Sequence, residues 1–191
     1  IQTPTPTRTQ TLTQTLTLES LTDHPAIAAT REAYRKTGKN PSRYRASAEA
    51  LARRVLQEKP LPSINNLVDC NNLISLNTLF PVGSYNTDRI DGPIQFDIGQ
   101  TGENYQGIGK GEVNLENMPL LRDQTGPFGS PTSDCSRTLI ETTATNTVTI
   151  LFAFPGRSGL QEQLDTAAEQ LRKYCQANII HTEIISLEES A

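Results

Sequence analysis

Residues 40–80 read NPSRYRASAEALARRVLQEKPLPSINNLVDCNNLISLNTLF. Two helical patterns meet here across a joint bounded by prolines. Pro41 does not belong inside a helix, and Ser42 after it is a good N-cap residue. A helix from Arg43 would bury Ala46, Ala50, Leu51, Val55 and Leu56. Lys59-Pro60-Leu61-Pro62 ends it, because each proline drives the preceding residue out of helical geometry. Ser63 or Asn65 can cap the second helix, with Leu67, Cys70, Leu73, Ile74 and Leu76 facing a core. Asn65, Asp69 and Asn72 then fall on one face. That polar edge is either the wall of a pocket or an ordinary solvated surface.

A basic run surrounds the first helix. Arg31, Arg35, Lys36, Lys39, Arg43, Arg45, Arg53 and Arg54 face only Glu32 and Glu49, in a chain whose net charge is −4. A basic patch on an acidic body guides one part of a polyanion and repels the rest. The overall charge argues against a protein that coats nucleic acid without selection.

The remaining elements fall out in order. Residues 1–22 form a Thr-rich segment, and 23–191 have the size of a single domain. The alternation of Leu12, Leu16 and Leu18 with threonines predicts a strand over Thr11–Leu18. Asp23 is placed to cap a helix from Pro25 to Lys36, closed by Gly38. Short strands at Pro93–Ile98, Asn104–Ile108, Glu112–Leu115 and Leu120–Arg122 are separated by glycine turns. A long polar loop covers Gly126–Thr138. Thr147–Phe154 is the most apolar strand and the natural centre of a sheet. Ser158 caps a helix to Gln176, and Ala177–Leu187 closes as a strand. Helices on both sides of a β-rich middle predict an α+β fold.

Much familiar chemistry is absent from the sequence. Cys70, Cys135 and Cys175 form no CxxC pair, and His24 and His181 have no ligand-spaced partners, so no metal and no cofactor are expected. Gly107-Ile-Gly-Lys-Gly has the wrong spacing for a phosphate loop and reads as a hairpin turn. No apolar run approaches bilayer length, and the cytoplasm is the default compartment. What remains is the polar edge at Asn65/Asp69/Asn72 and the loop residues Asp134, Ser136, Arg137 and Thr138. These loop groups can hold a polar ligand, orient a water or satisfy their own backbone.

The ordered set NPSRYRASAEALARRVLQEKPLPSINNLVDCNNLISL, PVGSYN, GEVNLEN, SDCSRT and ETTATNTVTILFAF resembles the tRNA-binding and editing domain of the phenylalanyl-tRNA synthetase β subunit, in free-standing form, over Ile27–Phe154. The resemblance implies a small closed β-barrel-like sheet with helices packed around it. It implies a pocket that receives the 3′ end of a tRNA carrying a wrong amino acid and hydrolyses the ester. Asp134 stands near the family's acidic pocket residue, and Gly83 stands near the position of a turn histidine. On this basis Asp134, Ser136 and Thr138 are the catalytic set. Asn65, Asp69, Asn72, Gly83, Tyr85 and Arg137 line the substrate, and Arg35, Arg43, Arg45 and Arg53 contact RNA phosphates. The expected partner is tRNA or the aminoacyl-tRNA 3′ end, with no DNA and no membrane. Three functions follow: a trans-editing hydrolase, a tRNA-binding module without chemistry, or a small-ligand domain that kept the fold.

Overall fold

In the computed structural model, which describes residues 12–154 and 159–186, the chain is α+β. The helices are α1 (Pro25–Thr37), α2 (Ser47–Leu56), α3 (Asn66–Thr78) and α4 (Leu160–Cys175). The strands are β1 (Val82–Asn86), β2 (Gln95–Ile98), β3 (Asn104–Gln106), β4 (Glu112–Asn114), β5 (Pro119–Asp123), β6 (Gly126–Gly129) and β7 (Thr147–Leu151).

The strands pair antiparallel as β1–β7, β2–β5–β6 and β3–β4. Among the described residues the backbone pairing is therefore three small sheets, not a closed ring. All three sheets nevertheless share one core. Tyr85, Tyr105, Leu115, Leu120, Leu121, Phe128 and Phe152 are buried in it, with Phe96, Val113, Val148 and Ile150 packed alongside. A second core joins Leu12, Leu21 and the apolar sides of α1 and α2 to Leu76, Leu79 and Phe80. A third packs Cys70 and Ile74 of α3 against Ala167 and Leu171 of α4.

Several expected elements come out differently. Residues 12–15 are helical, with the Leu16 N–H donating to Leu12 O at 2.9 Å, so no strand runs over 12–18; Thr11 lies outside the described residues. Leu12 and Leu16 are four apart, a spacing that serves a helical turn as well as alternation, and both pack on the helical core. The N-cap of α1 is His24 instead of Asp23, its Nδ1 accepting from Ala26 N at 3.3 Å.

The helix expected from Arg43 begins at Ser47. Asn40 organises a turn instead, its side-chain oxygen accepting from the amides of Ser42 (2.9 Å) and Arg43 (3.2 Å). The buried stripe of α2 is accordingly Ala48, Glu49, Ala52 and Val55, while Ala50 faces solvent. α3 is capped by Asn65, whose Oδ1 accepts from Val68 N at 2.9 Å.

Among the described residues β7 pairs only with β1, so it is not central. Its apolar run is explained by cover on both faces. Leu151 meets the helical cores while Val148 and Ile150 meet the sheet core. β6 lies inside the stretch expected to be loop. Residues 177–186 form no strand, and Ile180, Ile184 and Ile185 are exposed there. α4 starts at Leu160 after Gly159; Ser158 and Leu187 lie outside the described residues. No helix among the described residues is long and apolar enough to cross a membrane.

Candidate functional site

Asp134 is the chemical centre of the polar loop. Its Oδ1 accepts a 2.8 Å hydrogen bond from the hydroxyl of Tyr85, a fully buried residue of β1. The loop around it is fastened by its own groups. Ser130 Oγ donates to Ser133 O (2.7 Å) and accepts from the amides of Ser133 (3.1 Å) and Thr132 (3.3 Å). The Tyr105 hydroxyl donates to Ser133 O and to Ser130 Oγ. Burial pushes the Asp134 carboxyl up to about 6, against the opposing pull of the Tyr85 hydroxyl, the Ser130 amide and Lys110. Tyr85 is itself raised well above 10 by burial and by the adjoining carboxylate, so it remains a neutral donor.

The Tyr85 ring folds back over its own strand and lies between two glycines. A Cβ at Gly83 would stand 2.6 Å from Tyr85 Cζ, and one at Gly129 would stand 2.6 Å from Tyr85 Cε1. The space beside Gly83 is thus filled by the tyrosine two residues on. Thr138 ends a short 3-10 turn, Ser136–Thr138; it is 1% exposed and its hydroxyl finds no partner among the described residues. Ser136 is exposed on the same turn.

Other expected site residues are engaged elsewhere. Arg137 grips Asp123 with both terminal nitrogens (2.9 and 2.9 Å) and also donates to Arg89 O and Gly126 O, so its guanidinium braces the fold. Asp69 accepts from Ser63 Oγ (2.7 Å) and Ile64 N (3.0 Å), which makes it part of the cap of α3. Asn65 adds a long contact from Nδ2 to Ile140 O at 3.4 Å. Asn72 is half-buried on the next turn. The polar group of α3 that does reach β1 is Asn71, which accepts from Ser84 Oγ at 3.0 Å; Ser84 and Thr149 share a 2.6 Å hydrogen bond. Asn71 was missed because it lies off the Asn65/Asp69/Asn72 edge and reads as a core position.

Three of the basic residues, Arg31, Arg45 and Arg53, gather on Glu49, and the segments that bear them are tied to the polar loop by hydrogen bonds. The Tyr34 hydroxyl of α1 bonds Thr132 Oγ1 (2.7 Å), Thr132 Oγ1 donates to Tyr44 O (3.4 Å), and Ser47 N at the head of α2 donates to Pro131 O (2.8 Å). Glu49, which spacing had cast as a plain counter-charge, organises the arginines. Its side chain is 2% exposed and takes Arg31 Nη1 at 3.0 Å, Arg45 Nε at 3.2 Å and Arg53 Nε at 2.9 Å. The Arg45/Glu49/Arg53 spacing of four was visible in the sequence. Arg35 pairs with Glu32 on the surface, and Arg43 lies over the Tyr44 ring at 5.5 Å. Lys39 is withdrawn, its Nζ held by Asn114 Oδ1 (2.9 Å) and Glu116 O (2.6 Å). Two shallow hollows of about 390 and 450 Å³ adjoin Arg31 and Arg35.

An ionised carboxylate in such surroundings costs stability. The folded-state value of about 6 lies above the usual 3.8, so the penalty is absent below about pH 4, grows as pH rises through 6 and is complete above it. Asp134→Asn, which keeps an oxygen for Tyr85, is expected to raise the melting temperature at pH 8 clearly more than at pH 5. Equal shifts at both pH values would contradict a carboxyl held above its ordinary range by its surroundings.

Residues 29–176 match the family model described as B3/4 domain. No curated protein matches the chain.

Proposed function

The chain belongs to the B3/4 domain family, the domain found in the phenylalanyl-tRNA synthetase β subunit, and from that premise we propose that it binds tRNA and hydrolyses a mischarged aminoacyl ester. One observation carries the proposal: a half-buried carboxyl on a tyrosine leash, in a loop hydrogen-bonded to the helices that bear the clustered arginines. The three sheets around the common core then act as an incomplete barrel that holds this loop in place.

The chemistry asked of the protein is modest. An aminoacyl ester is already activated, so a positioned water and a neutralised oxyanion suffice. Asp134 takes a proton from water as its oxygen attacks the ester carbon. The bond to the ribose oxygen breaks, and that oxygen leaves with the proton that Asp134 took from the water, which returns Asp134 to its carboxylate form. Thr138, whose buried hydroxyl has unused hydrogen-bonding capacity, and exposed Ser136 are the donors nearest in sequence for the substrate's oxygens. Gly83 and Tyr85 shape the surroundings, Asn65, Asp69 and Asn72 stay with the cap and edge of α3, and Arg137 contributes by bracing the loop. Arg35, Arg43, Arg45 and Arg53 hold phosphates, contacts that orient the RNA without reading its sequence.

The test is deacylation of a panel of mischarged tRNAs. Wild type should release amino acid at a rate that rises through about pH 6, the range in which Asp134 ionises. Asp134→Ala should lose about a hundredfold or more, the usual scale of a general base. No deacylation above buffer by wild type removes the enzyme. One observation favours a second function, tRNA binding without chemistry: both hollows lie on the basic face, away from Asp134. Salt-dependent tRNA binding with no turnover is its signature.

A further inference from the structure

We infer that Glu49 is the positioning residue of a two-arginine phosphate clamp, formed by Arg45 and Arg53, that takes the backbone of a bound RNA; the clamp rests on the RNA-binding function proposed above. Arg45 and Arg53 both dock on Glu49 through Nε, on the same oxygen, Oε1. Their Nε atoms can therefore be no farther apart than the sum of the two hydrogen bonds. None of the hydrogen bonds among the described residues uses the terminal Nη pairs of either guanidinium. The side chains are 40% and 25% exposed, so those Nη pairs are open to solvent. A guanidinium presents two parallel N–H donors from such an end, the geometry that matches two oxygens of one phosphate.

Glu49 is held from behind. Its second oxygen takes Arg31 Nη1 at 3.0 Å, and Arg31 Nη2 is anchored on Ser42 Oγ at 3.0 Å. The carboxylate lies on the buried stripe of α2 beside Ala48 and Ala52. Three guanidiniums around one carboxylate leave two net positive charges. Two flexible arginine side chains are thereby fixed before any ligand arrives, which lowers the ordering cost of binding. The neighbouring hollow, lined by Arg31, Arg35, Asn40 and Ser42, lets the chain of phosphates continue along the α1 side.

The clamp differs from simple charge attraction in the sign of one result. Glu49→Gln removes a negative charge, so charge alone predicts tighter RNA binding. A clamp predicts weaker binding, because the two guanidiniums lose their common anchor. The experiment is fluorescence anisotropy with labelled, uncharged tRNA across a KCl titration, with a melting curve for each variant. Glu49→Gln should bind several-fold more weakly, with a salt slope reduced by about one. Glu49→Asp, which keeps the charge on a shorter stem, should fall between the two. Should Glu49→Gln not fold, the cycle Arg45→Gln, Arg53→Gln and the double variant decides: a shared phosphate makes the losses non-additive, and independent charges make them add. Tighter binding by Glu49→Gln, or strict additivity, overturns the clamp while leaving RNA binding in place. No tRNA binding by wild type at low salt overturns both.

Discussion

Asp123→Ala is expected to destabilise the protein by about 3–5 kcal/mol, the scale on which removing one partner of a buried ion pair leaves the other uncompensated. The Asp123 side chain is 0% exposed and its charge is answered by Arg137 at 2.9 Å. It also accepts from the amides of Asp91 (2.9 Å), Thr125 (3.0 Å) and Gly126 (3.1 Å). One carboxylate thus closes the β5–β6 turn, ties the segment before β2 to it and fixes the 3-10 turn that carries Thr138. A single domain has about 5–15 kcal/mol in hand, so the loss is a large fraction. Urea unfolding measures it. Burial by itself would raise the Asp123 carboxyl, but Arg137 and the Asp91 and Thr125 amides outweigh burial and hold it below the usual 3.8. A lowered folded-state value means stability that is present above about pH 4 and lost as pH falls through the folded value. Wild type should therefore lose stability on acidification below pH 4, and Asp123→Asn should lose less over the same interval. An Asp123→Ala loss under 1 kcal/mol would show that Arg137 finds another partner.

The same residues show how far the sequence could be read. The α+β class, α3 with its cap at Asn65, and the apolar stripe of α4 were legible because they depend on local spacing and capping chemistry. The stretch 130–138 was legible as a loop region rich in hydrogen-bonding groups, because its residue types show it directly. The task of each group was not. Arg137 and Asp134 are three residues apart in one stretch, yet one is consumed by Asp123 from β5 and the other by Tyr85 from β1. Only the packing of distant strands decides that. Glu49 illustrates the opposite case, since arginines four residues to either side were in plain view and a total of local charge concealed their common target. The Thr11–Leu18 expectation failed where two periods coincide, and the helical core chose between them. The apolar run of β7 reads as a sign of neighbours in the sheet, whereas what covers it is helices on one face and the sheet core on the other.

Gly83→His, the substitution that would supply the side chain borne by the resembling family turn, is expected to damage the site instead of completing it. Gly83 is buried under Tyr85, and even a methyl group there meets the ring, with Cζ 2.6 Å from the new Cβ. The opposite side offers no escape, since Gly129 lies as close to the same ring. Tyr85 also stacks edge-on against Phe128, with ring centroids 5.0 Å apart. Gly83→Ala alone should cost about 1–3 kcal/mol by overpacking, and histidine more. The more telling consequence is at Asp134. A displaced Tyr85 no longer donates to the carboxylate, and the carboxyl is then left with burial and less to oppose it, so its titration should move upward from about 6. Carboxyl chemical shifts followed by NMR through a pH titration read this directly, with Asp134→Asn identifying the resonance. Gly83→Ala combined with Tyr85→Phe is the control, because removing the hydroxyl relieves only part of the clash while the ring carbons remain. Full stability in Gly83→His, with an unmoved Asp134, would mean that Tyr85 has a second resting place and that the glycine is not there for its ring. The expected outcome ties glycine at position 83 to a packing decision: the Tyr85 ring occupies the space that any side chain there would need, and its hydroxyl holds Asp134.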